Sequence, residues 1–265
     1  MGATLGFAYT LERRTRPRIA RVPDPLGPLS PLGFVFPPAF GVRRIFLDPG
    51  HGAKNNTGNV SCFCRDEQEF TLEVASALSD RLKATGHFEV ALGRESLSPV
   101  DYHARVDAAE AFAAEVFLSL HSDIRGQTGE LWRPFADKEC VVSLNAPGFS
   151  ILWSDEGESN LVLRRHHVAR VLGKRMSSAG FLPYSGIEYA GLYEHDAVQA
   201  GVFVDRHAPE QRIFVLRRPR MPSALIETHH ALDPREARRW AEPKTFDVFA
   251  SAVAASLVDF FTSVL

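Results

Sequence analysis

From residue 43 onward the chain alternates short apolar runs with longer stretches that carry a single apolar stripe. This alternation restricts the fold more than any other feature. "RIFLD" (44–48), "HFEVALG" (87–93), "VFLSLH" (116–121), "GFSILWS" (148–154) and "MPSALIE" (221–227) have the length and composition of buried strands. Between them, 67–86 places Phe70, Val74, Leu78 and Leu82 four residues apart and closes on Gly86. Residues 98–115, with Pro99 near the start, and 159–180, ending at Gly180, read as two further helices. The last, 245–261, aligns Phe246, Phe249, Val253, Leu257 and Phe260 on one face. Strands that alternate with helices form a mostly parallel sheet covered on both faces, so the expected class is α/β.

Residues 1–40 break the pattern. "RRTRPRIARVPDPLGPLSPLGFVFPP" is dense in proline and arginine, which suits an extended arm. The division expected is therefore an arm over 1–40 and one domain over 41–265. A net charge of −2 gives no basic field to attract nucleic acid. No run reads as the roughly 20 apolar residues of a membrane span, and the N-terminus does not read as an intact signal peptide. Cys62 and Cys64 form a C-x-C rather than a zinc-binding C-x2-C pair. Either one of them pairs with Cys140 in an oxidising compartment, or all three are buried thiols.

Against this scaffold, "LDPGHG" (47–52) sets His51 between two glycines directly after a strand. Glycines relax the backbone there and clear space around the imidazole. His51, His121 and Glu227 all sit at C-terminal strand ends, the edge where ligands gather in open parallel sheets. Glu67 opens the helix after the His51 loop and can return to the same edge. Two histidines and a carboxylate, with one position left to water, is a ligand set for catalytic zinc. A further carboxylate then serves as general base. Each residue also has an ordinary alternative. His51 and His121 can be a loop and a strand-end histidine, Glu67 a dipole-favoured helix-start acid, and Glu227 a strand exit to solvent.

The motifs taken in order resemble the zinc-dependent N-acetylmuramoyl-L-alanine amidase family (Amidase_3), from about Arg44 to the C-terminus. "IFLDPGHG" is similar to its opening strand and first zinc histidine. "DEQEFTLEVASALSDRL" is similar to the following helix, "YHARVDAAEAFAAEVFLSLHSD" to its helix and second histidine strand, and "FVLRRPRMPSALIETHHALDPREARRW" to its last core strand. The resemblance implies one zinc ion held by His51, Glu67 and His121, with Glu227 as the base. The reaction it implies is hydrolysis of the amide between N-acetylmuramic acid and L-alanine of the peptidoglycan stem peptide. The implied partner is peptidoglycan, outside the cytoplasmic membrane in periplasm or cell envelope; any regulatory protein is unspecified.

Glu69 is a rival ligand two residues from Glu67, on a different helix face. The family register favours Glu67. Arg105 matches the family's helix arginine, and an ion pair under the site is the role expected of it. The chain also departs from the family. "HSD" replaces the usual "HAN", and Thr228, His229 and His230 follow Glu227 where a glycine or apolar residue is usual. Asp123 is a candidate acceptor orienting His121, and His229 a candidate ligand or substrate contact. Segments 123–147 and 182–212 are longer than the family core requires and are expected to border the metal edge. In the second, Tyr184, Tyr189 and Tyr193 are candidates for sugar or peptide contacts, and Glu188, Glu194 and Asp196 for the peptide's amines. Two competing readings are a zinc amidase or peptidase acting on another amide, and a non-catalytic wall-binding module.

Overall fold

The computed structural model describes residues 26–126, 129–135 and 137–263. The first half alternates as expected: β1 (Arg43–Pro49), α1 (Glu67–Lys83), β2 (Phe88–Leu92), α2 (Tyr102–Ala111) and β3 (Val116–Asp123). A hairpin follows, β4 (Glu130–Phe135) with β5 (Lys138–Val142), then β6 (Ser150–Trp153) and α3 (Ser159–Ser178). The remainder holds β7 (Tyr193–His195), β8 (Val202–Asp205), α4 (Phe214–Arg217), β9 (Ser223–His230), α5 (Pro234–Arg239) and α6 (Pro243–Thr262).

The strands of the main sheet lie in the order β2-β1-β3-β9-β6-β8-β7. β2, β1, β3 and β9 are mutually parallel, so their C-terminal ends share one edge. β6 runs antiparallel to β9, and β8 follows β6 in parallel. The mostly parallel sheet is thus confirmed, with β6 and β8 reversed beyond β9 and β7 antiparallel to β8 at the edge. Alternate residues sort to two faces. Ile45, Leu47, Leu118, Leu120 and Ile226 pack with Val74 and Leu78 of α1, Leu172 of α3 and Val253 and Leu257 of α6. Phe46, Phe117 and Leu225 face the other way, with Ala109 of α2 and Leu216 of α4.

Several boundaries differ from the sequence reading. The helix expected over 98–115 is only Tyr102–Ala111, because Asp101 caps it through the His103 amide at 2.8 Å. It cannot run on, since Ala113 is left-handed at φ 53°. β9 continues to His230, past a bulge that shifts its register against β3 between His121 and Asp123. α6 is long and apolar enough to cross a membrane by composition, contrary to the reading of no such run. Yet 72% of that window is buried, packed against the sheet and α3, as befits a core helix.

Residues 1–25 of the expected arm lie outside the described residues. Residues 26–40 are a strap without regular structure on the helical face. Ser30 donates to the Ala179 carbonyl at 3.0 Å and Leu32 to Ser251 Oγ at 2.9 Å. Phe36 stacks on His87 at 3.9 Å.

Of the two cysteine arrangements, the structure has a disulfide, Cys64–Cys140, with Cα atoms 5.4 Å apart, and Cys62 as a buried free thiol. Burial pushes that thiol up to about 12, so it is inert. The bridge ties the β4–β5 hairpin to the loop entering α1, where Trp132 Nε1 also donates to the Cys62 carbonyl at 2.5 Å. Closing a loop across 76 residues restrains the unfolded chain by about 4 kcal/mol. The Cys64→Ser/Cys140→Ser variant should therefore lose about 2–4 kcal/mol in urea denaturation. Unchanged stability would mean that the hairpin is not stapled in the folded protein.

Candidate metal centre

β1 delivers His51 to the parallel edge. Beyond Pro49 the chain turns through His51 at φ 58° and Gly52 at φ 71°. The flanking glycines do not clear space for a ligand, contrary to the sequence reading. A Cβ on Gly50 would lie 2.3 Å from Cε1 of His121, and one on Gly52 would lie 2.7 Å from Nε of Arg94. Gly50 is the flat seat on which the His121 imidazole rests. Arg94 in turn holds the loop, donating to the carbonyls of Pro49 at 3.1 Å and Gly50 at 3.0 Å.

The structure brings His51, Glu67 and His121 together, with one ligand atom from each inside 4.8 Å. Glu67 Oε2 lies 2.9 Å from His51 Nε2, and Oε1 lies 3.1 Å from His121 Nδ1. The backbone amides of Ser122 (2.9 Å) and Asn59 (3.0 Å) each donate to one carboxylate oxygen. Burial alone would raise this carboxyl, but the bonds and charges of His121 and His51 hold it far below the usual range. His51 is lowered by burial and raised more by Glu67, ending above its ordinary value. Glu69, by contrast, is half-exposed and faces Arg65 at 3.8 Å. Two imidazole nitrogens and a carboxylate oxygen converging from three elements match the donors and number that zinc takes.

Glu227 is the register partner of His121 on the neighbouring strand, so both side chains share a face. Its Oε2 is buried with no hydrogen-bond partner among the described residues. Burial, then the charges of Asp123 and Glu67, push this carboxyl well above its ordinary value.

Other candidates go elsewhere. Asp123 does not reach His121: past the bulge it accepts from Arg125 Nε at 2.7 Å and from the Tyr189 hydroxyl. His229 is buried on the α1 face, stacked on Trp240 at 5.7 Å and 4.9 Å from Phe70, with Nδ1 2.9 Å from Thr228 Oγ1. Burial, then His230 and Arg125, lower it to about 3. His230 is likewise buried, taking the Arg125 amide at 3.2 Å. The His229 ring lines a cavity of about 390 Å³ beside Glu67, with Phe63, Phe70, Trp240 and Arg238.

In the second long segment, Tyr184 and Tyr189 are core residues, and Tyr189 bonds Ser150 Oγ at 2.9 Å. Tyr193 is half-buried against Tyr189 at 4.5 Å. Glu194 pairs with Arg206 at 2.7 Å and Asp196 with Arg170 at 2.8 Å, while Glu188 is exposed. Much of 182–212 therefore builds the sheet's far edge through β7 and β8. In 123–147, the β4–β5 hairpin is bridged to the loop entering α1; residues 127, 128 and 136 lie outside the described ones.

The sequence reading missed Asn56, whose Oδ1 lies 2.8 Å from His51 Nδ1, and Ser119, whose Oγ lies 3.2 Å from His121 Nε2. It also passed over Asp48, a fully buried carboxylate paired with Arg105 Nη1 at 2.9 Å. A charge ending an apolar strand was its signal. The ion pair expected of Arg105 is there.

A profile described as N-acetylmuramoyl-L-alanine amidase matches residues 45–259. The amidase AmiA of Escherichia coli is 25% identical over 236 residues, covering 83% of this chain and 77% of that protein. Among solved structures, an N-acetylmuramoyl-L-alanine amidase from Clostridium difficile superposes with a TM-score of 0.63 at 19% identity, over 84% of this chain and 98% of that one. The apo form of Ami1 from Mycobacterium abscessus gives 0.64 at 16% identity, over 84% and 100%. These structural likenesses concern the fold.

The seat of His121 is testable. A methyl at position 50 must displace the imidazole, so Gly50→Ala should weaken zinc binding about tenfold or more, read by competition with a chromophoric chelator. The circular dichroism spectrum should stay unchanged, because the clash is confined to the edge. Wild-type zinc affinity in that variant would show that the ring is not held against Gly50.

Proposed function

The chain belongs to the N-acetylmuramoyl-L-alanine amidase family, and from that premise we propose that His51, Glu67 and His121 hold one zinc ion for peptidoglycan amide hydrolysis. The bond cleaved joins N-acetylmuramic acid to L-alanine of the stem peptide. The observation that carries this reading is the convergence of the three donors inside 4.8 Å beside a carboxylate with an unpartnered oxygen.

Bound there, zinc supplies Lewis-acid chemistry, acidifying a water and polarising the scissile carbonyl. The protein's own part falls to Glu227. Its free Oε2 takes a proton from the attacking water as the water oxygen adds to the carbonyl carbon. When the C–N bond breaks, the same carboxyl gives that proton to the alanine nitrogen. A carboxyl raised above its ordinary value suits a group that must accept a proton and then return it. Asn56 and Ser119 hold the two imidazoles by their remaining nitrogens, so the donor atoms are preorganised.

The competing amide reading draws on the long loops and the triplet after Glu227. Thr228 and His230 are buried, and of the triplet His229 alone lines the cavity beside Glu67, while much of 182–212 builds the sheet's far edge. A wall-binding module has no use for an orphaned carboxyl oxygen beside a donor cluster. Substrate and disulfide together support a site of action outside the cytoplasmic membrane, in periplasm or cell envelope.

Chelation should abolish release of stem peptides from purified muropeptides, and added zinc should restore it. His121→Ala should lose both metal and activity. Glu227→Gln should keep stoichiometric zinc by atomic absorption while turnover falls about 10²–10⁴-fold. Zinc loss in Glu227→Gln would make Glu227 a ligand instead. Cleavage of plain peptides in preference to muropeptides would overturn the substrate.

A further inference from the structure

His121 has two ring nitrogens, and the surrounding groups decide which carries the proton. Nδ1 points toward Glu67, 3.1 Å from Oε1, and Nε2 lies 3.2 Å from Ser119 Oγ. The Ser119 hydroxyl lies 2.8 Å from Asp48 Oδ2, and Asp48 Oδ1 accepts from Arg105 Nη1 at 2.9 Å. Arg105, Asp48 and Ser119 have no exposed surface, so water cannot rearrange this chain.

The direction of every bond in it follows from one end. An arginine guanidinium is always charged and only donates. Asp48, in contact with it and ionised, only accepts. The single proton of Ser119 therefore goes to Asp48 Oδ2, and the serine oxygen has lone pairs alone to offer His121. Nε2 must carry a hydrogen to bond them, since two facing lone pairs would repel. Nδ1 is the nitrogen turned to the cluster, 3.1 Å from Glu67 Oε1.

His51 is set the other way. Asn56 Nδ2 donates to the Tyr102 hydroxyl at 3.0 Å, and its Oδ1 takes the Gly58 amide at 3.2 Å. That oxygen is 2.8 Å from His51 Nδ1, which must donate, leaving Nε2 to face Glu67 Oε2 at 2.9 Å. The two histidines thus present opposite nitrogens.

We infer that Ser119, backed by Asp48 and Arg105, is a positioning residue that holds His121 in its Nε2–H form, so that Nδ1 is the nitrogen offered to zinc. The inference rests on the zinc reading above. It adds a role for two buried polar residues, Asp48 and Ser119, that touch neither metal nor substrate.

The test uses ¹⁵N-histidine NMR on the zinc-loaded protein, with zinc affinity measured alongside by competition. In the wild type, His121 should show a protonated Nε2 and a metal-bound Nδ1. Ser119→Ala should give a mixture of both forms and bind zinc about 10–100-fold more weakly. Asp48→Asn keeps the shape but can place its amide against Ser119, which reverses the relay and should move His121 toward the Nδ1–H form. A wild-type His121 protonated on Nδ1 overturns the inference, as does a Ser119→Ala protein with unchanged tautomer and zinc affinity. Should Ser119→Ala or Asp48→Asn fail to fold, the wild-type tautomer decides the matter. A wild type that binds no zinc but keeps a proton on Nε2, bonded to Ser119, would defeat the metal reading alone.

Discussion

The ion pair between Arg105 and Asp48 is the constraint on which the site depends. Burying a guanidinium and a carboxylate costs several kcal/mol in desolvation, recovered only when nearly every donor and acceptor is matched. Here the match is close. Besides Asp48, Arg105 donates to the carbonyls of Pro49 and Val100 at 2.9 Å and to that of His51. One side chain of α2 thereby fixes the end of β1, the turn that carries His51 and the segment leading into its own helix. Asp48 reaches the second histidine through Ser119. Losing one partner of such a pair strands the other charge in the interior, at a cost of about 3–5 kcal/mol.

The sheet edge supplies the rest of the geometry. Parallel pairing of β1, β3 and β9 brings three C-terminal ends side by side, and register places His121 opposite Glu227. The bulge just beyond then separates neighbours that strict alternation would keep together. Asp123 turns to Arg125 and Tyr189, while His229 turns to the opposite face and Trp240. Arg125, stacked 4.0 Å over Tyr184 and bonded to Ser150 and Gly148, fills the space behind Glu227 with satisfied polar groups. Among the described residues, Glu227 keeps a buried oxygen without a hydrogen-bond partner.

Glu67 shows how a helix start can be recruited to a donor cluster. It opens α1, where unpaired backbone amides and the dipole favour an acid. Its carboxylate is instead held by amides from two other segments, Asn59 and Ser122. The loop 59–66 that provides one of them is anchored to the β4–β5 hairpin through Cys64–Cys140. The disulfide therefore steadies the approach to a proposed metal ligand as well as the hairpin.

How much of this was legible in sequence depends on the range of each interaction. Apolar periodicity is local, so the central strands, α1, α3 and α6 were readable, as was the α/β class. Short partners such as β4, β7 and β8 carry too little pattern and exist only through pairing with a neighbour. The donors His51, Glu67 and His121 stood out because a strand-end histidine and a helix-start glutamate keep recognisable neighbours in the chain. What held them did not. Ser119 looks like any strand serine until Asp48, 71 residues earlier, is folded against it. The purpose of Gly50 was misread for the same reason, since the ring it accommodates belongs to a residue on another strand. Sequence determined which groups could bind a metal, because residue type and local pattern carry that chemistry. Tertiary structure alone decided which nitrogen, which oxygen and which neighbours face one another, because those contacts join segments that meet only when the sheet forms.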